Sequence, residues 1–254
     1  MTLLSLQGVT RRYGGLVAVD AIDLEVPEGG ITAVIGPNGA GKTTLFNLIS
    51  GFQAPNAGRI VFGGDDITAR PPEQIAASGL VRTFQLVQLF QNLSVLENIQ
   101  VGCHLHTGGG VFSALMRSRG TRQTEREVEA RARELLYFVG LEGAANAEAS
   151  ALAYGQQRLL EIARALAAKP KLLLLDEPAA GLSADESKRL SAAIRAIGGR
   201  GTTVLLIEHD MKLVMNTADT IAVLDFGRKI AEGAPSAVRE NPAVIAAYLG
   251  VGHA

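Results

Sequence analysis

The segment Gly36-Pro37-Asn38-Gly39-Ala40-Gly41-Lys42-Thr43-Thr44 constrains this chain more than any other. It follows a short apolar run, Ile31 to Ile35, and opens a helical pattern from Lys42 to Ser50 that Gly51 stops. This is G-x-x-x-x-G-K-[ST] in the strand–loop–helix setting that the motif needs. The glycines let backbone N–H groups wrap around phosphates, and the helix N-terminus adds its positive end. Lys42 is placed to reach the β- and γ-phosphates, and Thr43 to hold Mg²⁺ through its hydroxyl, with Thr44 one residue beyond.

Far downstream, Leu172 to Leu175 is a fully apolar run that ends in Asp176-Glu177. A buried strand there delivers two carboxylates at its C-terminal end, where α/β sheets bind ligands. Asp176 suits contact with Mg²⁺ through water, and Glu177 suits polarising an attacking water as general base. The two segments together point to a nucleoside triphosphatase.

The rest of the pattern frames them. Leu3 to Thr10 and Val17 to Val26 alternate as strands around a Gly14-Gly15 turn, and Arg59 to Phe62 reads as another strand. From Ser94 to about Val139 the pattern is helical and increasingly charged, with Gly108-Gly109-Gly110 as a loop inside it. Glu127 with Arg131 and Glu129 with Arg133 have the i, i+4 spacing of an exposed helix. Gly155 to Ala168, Ala184 to Ile197 and Met211 to Thr217 read as helices, and Thr203 to Ile207 and Thr220 to Leu224 as buried strands between them. Continuous apolar strands flanked by helices predict a sheet covered on both faces.

Charge narrows the class further. Lys plus Arg number 24 and Asp plus Glu 25, a net charge of −1 that argues against a nucleic-acid binder. One cysteine, Cys103, excludes an intrachain disulfide and fits a reducing compartment. Cys103, His104 and His106 lack a second ligand pair and do not read as a metal site. No apolar run approaches the roughly 18 residues of a membrane helix, and no targeting signal opens the chain. If the protein works at a membrane, another protein holds it there.

Leu152-Ala153-Tyr154-Gly155-Gln156-Gln157-Arg158 opens a helix ahead of Asp176 and is similar to the signature motif of ATP-binding cassette (ABC) proteins, usually written L-S-G-G-Q. The resemblance covers nearly the whole chain. It implies that Tyr13 stacks on adenine, that Gln85 is the Q-loop glutamine which touches Mg²⁺ and faces a transmembrane partner, and that His209 contacts the γ-phosphate. Ala180-Gly181-Leu182-Ser183 falls at the D-loop. Ala153, Tyr154, Gly155 and Gln156 would act on the ATP of a partner cassette. Ala153 replaces the usual serine, Tyr154 the first glycine, and Ser183 the usual D-loop aspartate. These departures resemble one branch, the ATPase of bacterial branched-chain amino-acid importers. Val81 to Gln85, the insertion around Gly108 to Arg122 and the tail Asn241 to Gly250 look like that branch too.

The resemblance implies a RecA-like P-loop α/β core with a small antiparallel β lobe and an inserted helical subdomain at about residues 86–154, within a cassette spanning 4–250. It implies ATP and Mg²⁺ as cofactors and ATP hydrolysis coupled to uptake of branched-chain or other hydrophobic amino acids. The implied partners are two permease chains, a second cassette (a different one or a copy of itself) and, indirectly, an external substrate-binding protein, with no nucleic acid. The implied place is the cytoplasmic face of the inner membrane. The apolar stretch Leu86 to Phe90 is a candidate permease dock. Two other readings stay open: an importer of urea, amides or aromatic acids, and a soluble cassette ATPase of the iron–sulfur assembly type.

Overall fold

The computed structural model describes residues 1–83, 85–103 and 119–249. Phe84, His104, His106, the Gly108–Gly110 loop and Gly250 lie outside the described residues. The chain forms two compact units, one from Met1–Gln85 with Lys171–Ala254 and the other from Leu86–Pro170.

The first unit contains two sheets. β1 (Thr2–Tyr13) and β2 (Leu16–Pro27) form a hairpin closed by Gly14-Gly15, with Tyr13 opposite Leu16. β4 (Ala57–Phe62) and β5 (Asp65–Asp66) complete a four-stranded antiparallel sheet in the order β2-β1-β4-β5. The second sheet holds β3 (Ile31–Ile35), β6 (Leu80–Arg82), β7 (Leu172–Asp176), β8 (Thr203–Ile207), β9 (Thr220–Asp225) and β10 (Arg228–Gly233). Its order is β10-β9-β3-β8-β7-β6, with β10 antiparallel to β9 and the other neighbours parallel. This is the α/β core with an antiparallel lobe that the sequence predicts.

Every residue of β3, β7 and β8 is buried, as expected of strands covered on both faces. Helix α1 (Lys42–Ile49) drops Leu45, Phe46, Leu48 and Ile49 into the same apolar core as Val34, Leu172, Leu174, Leu205 and Ile207. Each fully buried side chain of this kind contributes about 1.5–3 kcal/mol relative to exposure. The parallel register then aligns the strand ends. Val34 and Asp176 both pair with Ile207, so the segments that leave β3, β7 and β8 emerge side by side.

Several short elements have no counterpart in the sequence reading: α2 (Pro72–Ala77), β6 and β10. The second unit packs α3 (Val95–Cys103), α4 (Arg119–Val139) and α5 (Tyr154–Ala167) together. On α4, Arg133 bonds Glu129 as its spacing predicts, while Arg131 reaches Glu134 at 2.8 Å. The unit runs on to Pro170 and takes in α5, whereas the resemblance implies a subdomain that ends near residue 154. The reason is packing: α5 buries Leu160, Ile162, Ala163 and Leu166, and α3 and α4 are its helical neighbours. After α6 (Ala184–Gly199) and α7 (Met211–Thr217), the first unit ends with α8 (Pro235–Arg239) and α9 (Pro242–Leu249).

Candidate nucleotide site

Buried β3 ends at Ile35, and the loop Gly36 to Gly41 turns into α1. Gly41 caps that helix in a left-handed conformation, φ 97°, and a Cβ there would lie 2.3 Å from the Ala18 carbonyl oxygen. Only glycine fits, so the loop is pressed against β2 without a side chain between them. The turn after β9 braces it from another side: Gly227 N–H donates to the Ala40 carbonyl at 3.1 Å. The first N–H groups of α1 have no acceptor within the helix, the feature that suits helix N-termini to anions.

Lys42 lies over the loop. Its Nζ donates to the carbonyls of Gly36 at 2.7 Å and Pro37 at 3.0 Å. Burial pulls this ammonium below its ordinary range, and the Glu177 carboxylate opposes the shift. An open cleft of about 370 Å³ is lined by Tyr13, Leu16 to Ala18, Asn38 to Thr44, Glu177 and Phe226. It brings together most of the predicted loop, the predicted aromatic and the predicted base. Tyr13 is partly exposed; its hydroxyl donates to Gln53 Oε1, and the Arg11 guanidinium lies 4.8 Å from its ring centre.

The neighbouring strand ends supply the rest. Glu177 follows β7 with φ 45°, a left-handed conformation that costs a non-glycine residue about 1–3 kcal/mol and clusters at functional sites. Its N–H is held by the Ile207 carbonyl at 3.0 Å. Its Oε2 accepts from Gln85 Nε2 at 3.0 Å and lies 3.7 Å from His209 Nδ1. Two residues widely separated in sequence, Gln85 and His209, therefore approach one carboxylate. Asp176, in contrast, is closed into an ion pair with Arg82 at 2.7 Å.

Three features escaped the sequence reading. Arg82 is one, although a cation beside the apolar Leu80-Val81 signals that a buried partner is needed. Glu208 is another: wholly buried, it accepts backbone N–H bonds from Ala179 at 2.8 Å, His209 at 3.1 Å and Asp210 at 3.3 Å. Burial pushes its carboxyl above the ordinary range, against the pull of those bonds. It ties the segment after Glu177 to the segment bearing His209. The third is Ser183, whose hydroxyl accepts from Glu186 N–H at 3.4 Å while Glu186 Oε2 accepts from Ser183 N–H at 2.9 Å. The serine in place of aspartate is thus the N-cap of α6, and the S-x-x-E spacing was the available signal.

The signature segment stands in the helical unit. Ala153 is the N-cap of α5 and makes no side-chain cap bond; its N–H donates to Gln156 Oε1 at 3.1 Å. Tyr154 is exposed, and its hydroxyl accepts from Arg158 Nη2 at 3.1 Å. Gly155 is buried and Gln156 exposed. Arg158 and Glu161 form an ion pair at 2.8 Å with side chains 1% and 2% exposed, and Glu161 also accepts Gln88 N–H at 3.2 Å.

A phosphate loop after β3, a carboxylate pair at the end of β7 two strands away and a largely parallel α/β sheet define a P-loop nucleotide-binding protein. Residues 19–180 match the family model described as ABC transporter, and residues 228–254 match that of the branched-chain amino acid ATP-binding cassette transporter. The chain belongs to the ATP-binding cassette family of ABC transporters. It is 46% identical over 249 residues to BraF of Pseudomonas aeruginosa, covering 98% of both, and 47% identical over 249 residues to LivG of Escherichia coli, again 98% of both. Both are high-affinity branched-chain amino acid transport ATP-binding proteins. Among solved structures, it is similar to a nucleotide-free cassette of an ABC transporter (TM-score 0.84, 33% identity, 100% of both chains). It is also similar to the ADP conformation of another (TM-score 0.85, 34% identity, 98% and 99% covered).

Proposed function

We propose that this chain is the ATP-hydrolysing subunit of an importer for branched-chain amino acids. The observation that carries the reading is full-length identity of 46–47% to relatives named for that transport, together with a match of residues 228–254 to the branch's own C-terminal model. The urea and aromatic-acid readings have no such support.

The donor set suits the nucleotide and its metal. Thr43 hydroxyl and Asp176 carboxylate are hard oxygen ligands, and Mg²⁺ ordinarily takes one or two protein carboxylates plus phosphate oxygens and water. When bound, Mg²⁺ neutralises charge on the β- and γ-phosphates.

Lys42 exchanges its loop carbonyls for phosphate oxygens, a placed charge that water cannot imitate. Glu177 Oε2 takes the proton of the attacking water, with the Gln85 amide fixing the carboxylate's direction and the His209 ring 3.7 Å away. Tyr13 offers a ring for the base. Ala153 to Gln156 act on the ATP of a second cassette, which is a different chain or a copy of this one.

Among the described residues no helix is long and apolar enough to cross a membrane. The transport named for its relatives supports a place at the cytoplasmic face of the inner membrane, where the chain works through two permease chains. Leu86 and Phe90, 77% and 50% exposed, offer them an apolar contact.

The reading is tested in vesicles holding the assembled transporter. Binding protein loaded with leucine, isoleucine or valine should stimulate ATP hydrolysis, and urea or an aromatic acid should not. Stimulation by urea or aromatic acids alone would move the chain to another importer.

A further inference from the structure

Asp176 is held by one cation in a closed setting. Arg82 Nη2 donates to Asp176 Oδ2 at 2.7 Å, and each side chain is 7% exposed. The same guanidinium donates through Nη1 to Asn47 Oδ1 and to Ser50 Oγ, both at 2.8 Å. It also lies 5.8 Å from the Phe46 ring centre and 5.7 Å from that of Phe52. Phe46 and Asn47 lie on α1, and Ser50 caps its end. Thr43 sits at the other end of that helix. Arg82 therefore ties the carboxylate of β7 to the helix that bears the hydroxyl.

A bare carboxylate at the end of β7 could turn about two side-chain torsions. With Oδ2 fixed, the rotamer is set, and Oδ1 carries no ion pair among the described residues. A planar fork does this better than a point charge, because its donors reach Asp176 and α1 in one plane. Partners of this kind ordinarily orient a metal-facing carboxylate and contribute about 10–100-fold in metal affinity.

We propose that Arg82 is a positioning residue for Mg²⁺. It holds Asp176 and α1 in one arrangement, so that Oδ1 and the Thr43 hydroxyl meet the metal's coordination shell without first reorienting. This rests on the reading that Asp176 and Thr43 face Mg²⁺, and the test separates the two.

The test measures binding of a fluorescent ATP analogue to the full chain, first in EDTA and then across a Mg²⁺ titration. Arg82→Met should raise the Mg²⁺ concentration at half-effect by about tenfold or more and leave affinity in EDTA within about twofold of the parent. In an Asp176→Asn background the same substitution should add nothing, because its effect passes through that carboxylate. A plain structural brace would weaken binding equally with and without Mg²⁺, and that result overturns the proposal. So does an unchanged Mg²⁺ dependence in Arg82→Met while Asp176→Asn alone shifts it. If Asp176→Asn shifts nothing, the metal-facing reading of Asp176 fails, and the proposal with it. Should Arg82→Met not fold, Arg82→Lys decides: it keeps the charge without the fork. A severalfold rise in the Mg²⁺ requirement with unchanged EDTA affinity supports positioning, and parental behaviour rules it out.

Discussion

Among the described residues, the two most deeply buried ion pairs have contrasting surroundings. Arg82–Asp176 sits at the end of a sheet strand beside the phosphate loop, and Arg158–Glu161 sits within the helix that begins at the signature. Around the first, polar groups gather: Lys42 and Glu177 line one cleft, and Gln85 and His209 of the same unit approach Glu177. Around the second, chemistry faces outward: Ala153, Tyr154 and Gln156 are exposed, and the pair beneath them is sealed. The contrast teaches that one region gathers its polar groups around a carboxylate, whereas the other seals its charges beneath an exposed surface. Substitutions can break that contrast or sharpen it.

Glu177→Gln strikes the first region. The amide keeps the shape and still meets Gln85, but it cannot take a proton. Hydrolysis should fall about 10²- to 10⁴-fold, the range for losing a general base, while ATP binding stays. Steady-state turnover and nucleotide affinity, measured on the same preparation, check it. Normal turnover would pass the role of base to another group, with His209 at 3.7 Å the first to examine.

Glu161→Gln strikes the second region from below. Burial already pushes the Glu161 carboxyl above its ordinary range, with the bonds from Gln88 and Arg158 opposing. Removing its charge breaks a buried ion pair from one side, a loss of about 3–5 kcal/mol. Denaturant unfolding should show it. Replacing both residues with apolar ones, Arg158→Met with Glu161→Leu, should restore most of that stability. The double variant also removes the Arg158 bond to Tyr154, so it tests whether the pair serves stability or the posture of the signature. Restored stability with impaired ATPase in the assembled transporter argues for posture.

The same contrast explains what could be read in the sequence. β3, β7 and β8 are legible because a strand buried on both faces must be apolar throughout, and the phosphate loop is legible because its glycines are dictated by backbone approach. β6 and β10 are not: one is three residues long, and the other is a polar edge strand, Arg228-Lys229-Ile230-Ala231-Glu232-Gly233. α2 hides behind Pro71-Pro72, which reads as a turn although proline suits the first helical position. The strand order is also illegible, since β3 lies between β8 and β9 through pairings between distant residues. Tyr13, Gln85 and His209 were named by resemblance, because single residues at loop ends carry no periodicity. The partner of Arg82 is illegible too, since nothing local in the sequence links it to Asp176. The ownership of α5 failed for a like reason: a helix belongs to the unit it packs on, and chain order does not say which.

Ala153→Ser sharpens the contrast most finely, because the new hydroxyl has two uses. At an N-cap with φ −60° and ψ 153°, serine accepts an N–H from the first turn of α5, where alanine makes no bond. That stabilises the helix by about 0.5–2 kcal/mol and should raise the unfolding midpoint of the isolated chain. In the assembled transporter the hydroxyl can instead donate to the ATP held by the second cassette, and a hydrogen bond to a charged group is worth about 1.5–3 kcal/mol. Where that second cassette carries a serine of its own, the parental sites are unequal, and the one built on Lys42 and Glu177 dominates. Glu177→Gln should then cost more ATPase activity than the matching base substitution in the partner. Introducing Ala153→Ser should bring the two losses together by about one to two decades. Equal losses before the serine is introduced would show that Tyr154 or the helix N-terminus already supplies what alanine lacks. A raised unfolding midpoint with no change in the ratio would show that the hydroxyl serves its own helix.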